Sequence, residues 1–289
     1  MTAPRFAQDT DHGRYYFHPG DNRSVPSITN IKSVKNFKAA GYVAAKDCAT
    51  YASKNIATLA TLPEQDVWSL VKGAPFRADT QKNIASKIGD IVHGWIDNHI
   101  HGDEVNPRVY IDPNTGEELE APVTARHMWA SFVDFENFYH PKWFMSEFTV
   151  WSDSVGFAGT MDWAAWINDS LVLADNKSGK GVYPDMALQL SAGAFADFII
   201  DAEEKEIALP HFERAGILHI RPRFWEFVPV VHLEEWFEAF KALKLVFDTS
   251  LEYDDKTLLY APKHQVRAER TAPKPRPPRN TSTAKRAGA

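Results

Sequence analysis

Two apolar stretches in GTMDWAAWINDSLVLADNK, residues 159–177, are interrupted by charge at Asp162, Asp175 and Lys177. Two carboxylates and an amine at strand ends can form a surface ion pair. They can also hold a hard divalent cation, which prefers oxygen ligands, beside an amine that orients a nucleophile. Spacing bears on the choice. Asn168-Asp169 reads as a two-residue hairpin turn pairing Ile167 with Ser170, and counting back from it sets Asp162 opposite Asp175. Facing Cβ atoms then lie about 4.5–5.5 Å apart, and like charges directly opposite are destabilising unless compensated. Lys177 shares the face of Asp175, about 7 Å further along the strand. A four-residue loop centred on the same pair keeps this register, whereas a three-residue loop sends the carboxylates to opposite faces. Ala164, Trp166, Leu171 and Leu173 continue the same face, so the carboxylates would close a buried surface, where ionised groups require a cation or several hydrogen bonds.

Positioning these groups falls to an α/β layer arrangement. Ser27 to about Leu59 reads as helical, with Ser27 or Thr29 as caps, and Leu62-Pro63 breaks the pattern. A helix starting at Asp79 or Thr80 and ending at His101 carries an apolar stripe of Ile84, Ile88, Ile91, Val92 and Trp95, with His93 at its edge. Residues 103–122 read as a hairpin excursion and Ala125 to Phe138 as another helix. Three strands follow: FMSEFTVW, GFAGTMDWAAWI and SLVLADNK. PDMALQLSAGAFADFII reads as a helix opened by Pro184, with Met186, Leu190, Ala194 and Phe198 on one face. Strands at 217–220 and 225–230 and an amphipathic helix from Leu233 to Phe247 complete the order, with an antiparallel hairpin at its centre.

With 44% hydrophobic residues among 289, the chain can bury a sizeable core. It has no run of about 18 apolar residues and no signal-peptide centre at its start, so the expectation is a cytoplasmic protein without a membrane association. The single cysteine, Cys48, excludes an intrachain disulfide framework and a four-cysteine metal site or iron–sulfur cluster. The formal charge of -6 is uneven, because residues 263–289 hold eight basic residues against Glu269 alone. Residues 261–289 therefore read as a disordered basic tail, with solubilisation and a salt-dependent tether to nucleic acid both open. The expected organisation is an arm at 1–23, one domain at 24–260 and this tail. Within the domain, 24–140 would be helical, and the core would comprise about 80–101 and 143–231.

The sequence G-x-x-D, a turn, then D-x-K after an apolar strand resembles the PD-(D/E)XK nuclease superfamily. Within it, the RecB-like exonucleases of phages, relatives of the CRISPR adaptation exonucleases, are the most similar. DNKSGKGVYPDMALQLSAGAFAD resembles that group in order and spacing; IGDIVHGWID supplies its Gly-x-x-x-His at Gly89 and His93, SEFTVW its strand glutamate at Glu147, and VPSITNI its opening. The resemblance spans about residues 24–230. It implies a restriction-endonuclease-like core and Mg²⁺ or Mn²⁺ held by His93, Asp162, Asp175 and the main-chain carbonyl of Asn176. Glu147 would be a ligand or an acceptor behind the ligands, Lys177 would orient or activate water, and Gln189 would shape the site and touch DNA. Two departures stand out: Gly193 occupies the place of the family's tyrosine, and the iron–sulfur cysteines are missing.

The implied activity is metal-dependent exonuclease hydrolysis of linear DNA in phage recombination or replication, in the host cytoplasm. Binding would be to the backbone and largely independent of sequence, and a recombinase or single-strand annealing protein would be a partner. A structure-specific or nicking endonuclease of the superfamily and a non-catalytic DNA-binding module remain open. Taken singly, His93 reads as a boundary histidine, Glu147 as a solvent-facing strand residue, and Lys180 as either a solvated loop lysine or a phosphate contact.

Overall fold

A computed structural model describes residues 4–34, 39–113 and 115–252. Three short strands, β1 (Ala7–Thr10), β2 (Gly13–Phe17) and β3 (Ser24–Pro26), precede α1 (Ile28–Ser33). Then come α2 (Ala39–Lys54), α3 (Ile56–Leu59), α4 (Glu64–Lys72) and the long α5 (Ala74–Ile100). The hairpin β4 (Val109–Ile111) and β5 (Glu118–Glu120) leads into α6 (Val123–Tyr139). The central run is β6 (Lys142–Ser152), β7 (Phe157–Ile167), β8 (Ser170–Lys177) and α7 (Pro184–Ala194). It is followed by β9 (Phe198–Ile200), β10 (Glu206–Ala208), β11 (Arg214–Arg221), β12 (Phe224–Val230) and α8 (Leu233–Glu252).

The main sheet has the order β10-β9-β6-β7-β8-β11-β12 and is antiparallel except where β11 runs parallel to β8. Each face carries its own core. On one, Met186, Leu188 and Leu190 of α7, Phe240 of α8 and Ile28 and Ile31 of α1 pack on Phe148, Met161, Ala164, Leu171 and Leu173. On the other, Ile91, Val92, Trp95 and Ile96 of α5 and Met128, Phe132 and Phe135 of α6 pack on Trp163, Ala165, Val172 and Ala174. The α/β class is thus a sheet covered on both faces by helices. No described helix is long and apolar enough to cross a membrane.

Local chemistry explains most boundaries. The Ser27 hydroxyl caps α1 by accepting the Asn30 N–H at 3.0 Å. Asn168 and Asp169 both take left-handed backbone, φ 49° and 60°, the geometry of a tight type I′ hairpin and one these two residue types tolerate. α5 begins at Ala74, earlier than the Asp79 or Thr80 expected, and its stripe fades at Ile84, which is exposed.

Three readings need correction. The helix expected over Ser27–Leu59 is divided among α1, α2 and α3, with residues 35–38 outside the described residues. α7 stops at Ala194, so Phe198 is not on its face: Asp197 turns the chain by accepting the Ser154 N–H, and Ile199 and Ile200 pair with Val150 and Thr149 of β6. The segment read as an arm at 1–23 contributes β1 and β2, anchored where the Tyr16 hydroxyl meets Thr160 Oγ1 at 2.9 Å. The tail, 261–289, lies outside the described residues.

Candidate metal centre

The β7–β8 hairpin has the register its turn predicts, Ile167↔Ser170 through Trp163↔Ala174. The next hydrogen-bonded rung would join Met161 and Asn176. Instead the Asn176 N–H donates to Asp162 Oδ2 at 2.6 Å. The two strands part at the step where Asp162 and Asp175 would face each other. A strand residue's N–H and C=O point to the same edge, so the Asn176 carbonyl faces this opening too. Its side chain is fixed on the far side, with Oδ1 accepting from Trp163 Nε1 at 2.9 Å.

The neighbouring pair is distorted at the same level. Ser146↔Trp163 and Phe148↔Met161 are paired, which leaves Glu147 opposite Asp162, and Glu147 adopts φ 46°. Met145 and Phe148 pack on one core, as do Met161 and Ala164, three residues apart in each strand, whereas strict alternation would separate them. A coincident slip on β6 and β7 thus aims both carboxylates at the opening. His93 reaches it from α5, with Nδ1 at 3.6 Å from Asp162 Oδ2. One ligand atom each from His93, Glu147 and Asp162 lies within 4.8 Å of the others. Gly89, one turn before His93, lets α5 close on the loop after β8, since a Cβ there would meet Ser178 Oγ at 2.6 Å.

Asp175 lies on the α7 side. It is 2% exposed; its Oδ1 accepts from Gln189 Nε2 at 2.9 Å, and Lys177 Nζ sits against Oδ2. That ion pair lacks proper hydrogen-bond geometry, so Oδ2 is a buried oxygen without a satisfying donor. Burial pushes the Asp175 carboxyl above the ordinary carboxylate range, Lys177 opposes the shift and Asp162 adds to it. Burial works against the Lys177 ammonium, yet Asp175 and Asp162 outweigh it and hold its pKa above the usual lysine value. Glu147 is pushed from 4.5 to about 8, first by burial and then by the charges of Asp162, Asp97 and Asp175.

These features fit a hard divalent cation. The donors are oxygens and one imidazole, one buried oxygen has an ion pair but no hydrogen bond, and a half-buried carboxyl is pushed up by burial and by the neighbouring carboxylates. His93, Glu147 and Asp162 would hold it from one side, with Asp175 and the Asn176 carbonyl across the opening. A cleft of about 920 Å³ runs from His93 and Glu147 along α5 to the β4–β5 hairpin. Lys180 is exposed in the loop between β8 and α7, outside the His93–Glu147–Asp162 cluster.

Sequence reasoning missed three residues. Asp97, one turn after His93 on α5, accepts from Ser146 Oγ, and its i+4 spacing was a usable signal. Arg221 and His219 of β11 hold the loop after Lys177: Arg221 donates to the Ser178 and Gly179 carbonyls, and His219 Nε2 meets the Gly179 carbonyl at 2.9 Å. At Gly193, where the resemblance expects a tyrosine, a Cβ would stand 2.2 Å from Met161 Sδ. Compared with known proteins, the chain matches no family model and no curated protein.

Proposed function

We propose that the protein is a divalent-metal-dependent deoxyribonuclease with a restriction-endonuclease-like core of the PD-(D/E)XK type, acting as an exonuclease on linear DNA. The observation that carries the reading is the opening of the β7–β8 ladder, where the Asp162 carboxylate replaces a backbone rung and clusters with His93 and Glu147, while the Asp175–Lys177 ion pair stands at the same step of β8. The order α6, β6-β7-β8, α7, then β11 parallel to β8, supports the same reading.

Bound Mg²⁺ or Mn²⁺ supplies Lewis acidity toward the scissile phosphate and an attacking water. Asp162 and Asp175, with His93, Glu147 and the Asn176 carbonyl, would hold it. Lys177, kept charged by Asp175 and Asp162, orients the water and balances charge developing on the phosphate. Gln189 fixes the Asp175 carboxylate. Lys180 offers an exposed cation to the DNA backbone. Preference for linear DNA, a role in phage recombination or replication, and a recombinase or annealing partner rest on the family resemblance.

Linear and covalently closed circular DNA incubated with Mg²⁺ or Mn²⁺ test the proposal, using wild type, Asp162→Ala and Lys177→Ala. Degradation of linear DNA alone, lost in both variants, is expected. Nicked circles would move the assignment to an endonuclease. Metal-independent cutting, or full activity in both variants, would refute it.

A further inference from the structure

Gln189 of α7 spans two groups of opposite charge. Its Nε2 donates to Asp175 Oδ1 at 2.9 Å, and its Oε1 accepts from Lys32 Nζ of α1 at 3.1 Å. An ammonium can only donate and an ionised carboxylate can only accept, so both charges select the same orientation of the amide. Lys32 is well seated for this. Its side chain is 11% exposed, and its ammonium lies 3.8 Å from Asp185 Oδ2 in the first turn of α7. α1 is itself fixed, with Ile28 and Ile31 buried in the core and the Ile28 side chain against Gly159 of β7.

We propose that Lys32 is a positioning residue for the candidate metal centre: by holding Gln189 Oε1 it commits Nε2 to Asp175 Oδ1 and leaves Asp175 Oδ2 to Lys177 and a divalent cation. Without Lys32 the amide is free to turn, and its flipped form sets an oxygen against a carboxylate oxygen. Asp175 then loses its only hydrogen-bond donor from α7 among the described contacts, and its direction rests on the Lys177 ion pair alone. The final step, from carboxylate orientation to cation, rests on the metal-dependent reading above; the orientation of the amide does not.

The two links are read separately in the full chain. Proton–nitrogen NMR of metal-free protein follows the Gln189 side-chain amide, identified by its loss in Gln189→Leu. Its bonded proton is expected to exchange slowly in wild type and in Lys32→Arg, and rapidly in Lys32→Met. Calorimetry with Mn²⁺ then reports the centre: Lys32→Met is expected to weaken binding by about tenfold or more, the range for losing a partner that orients a metal ligand, and Lys32→Arg to restore most of it. An unchanged Gln189 amide in folded Lys32→Met overturns the proposal whatever the metal does. A freed amide with wild-type Mn²⁺ affinity overturns the link to the centre. Should Lys32→Met not fold, Gln189→Leu takes its place in calorimetry, and wild-type affinity there is equally contrary. Absence of Mn²⁺ binding by wild type would remove the metal-dependent reading and the link to the centre with it, while NMR still decides the orientation.

Discussion

Replacing Glu147 with glutamine should stabilise the metal-free protein at alkaline pH while weakening its hold on a cation. The Glu147 carboxyl stands at about 8 in the folded chain against 4.5 ordinarily, because it is buried beside Asp162, Asp97 and Asp175. Below pH 4.5 it is protonated in both folded and unfolded chains and costs nothing. Between 4.5 and 8 the unfolded chain ionises first, so stability falls as pH rises; above 8 both states are ionised and the cost stays constant. At about 1.4 kcal/mol per pH unit the limit is roughly 5 kcal/mol, and partial exposure and relaxation reduce it to about 3. Glutamine never ionises. Urea unfolding at pH 5, 7 and 9 in the presence of a chelator should therefore show wild type and Glu147→Gln nearly equal at pH 5, with the variant ahead by about 3 kcal/mol at pH 9. Mn²⁺ should close the gap by stabilising wild type more. A pH-independent difference, or a variant less stable than wild type at pH 9, would refute the reasoning.

Gly193→Ala should cost about 1–3 kcal/mol through overpacking against Met161, with Met161→Ala restoring part of the loss in the double variant; equal unfolding midpoints for Gly193→Ala and wild type would contradict this. Lys177→Met leaves Asp175 buried without its cation and should lower stability by roughly 3 kcal/mol at pH 8 and by less near pH 4, where Asp175 can take up a proton, as followed by urea unfolding at the two pH values. Glu147→Gly relieves left-handed backbone at φ 46° as well as the buried charge and should exceed the stability of Glu147→Gln by about 1 kcal/mol, measured in the same titrations.

The most legible part of the molecule was the hairpin that carries the site. A turn of two residues that both accept left-handed backbone fixes the register from Ile167↔Ser170 to Trp163↔Ala174, but the pairing of Asp162 with Asp175 that counting expects does not form. Counting could not reveal that the ladder opens at that step, because the slip on β6 and β7 depends on tertiary packing of Met145, Phe148, Met161 and Ala164 against the α7 layer. Met186, Leu190, Ala194 and Phe198 keep four-residue spacing, which concealed the end of α7, and β9 is too short at three residues to show alternation. β1 and β2 carry little apolar signal of their own. Lys32 left no trace either, since it meets Gln189 across 157 residues of chain.

Crystals soaked in Mn²⁺ and measured for its anomalous scattering test the metal centre at the heart of the proposal most directly. A peak is expected in the opening between β7 and β8, within coordination distance of Asp162 and of at least one of Asp175, Glu147 and His93. A peak elsewhere, or none at a concentration that supports DNA hydrolysis, would contradict it.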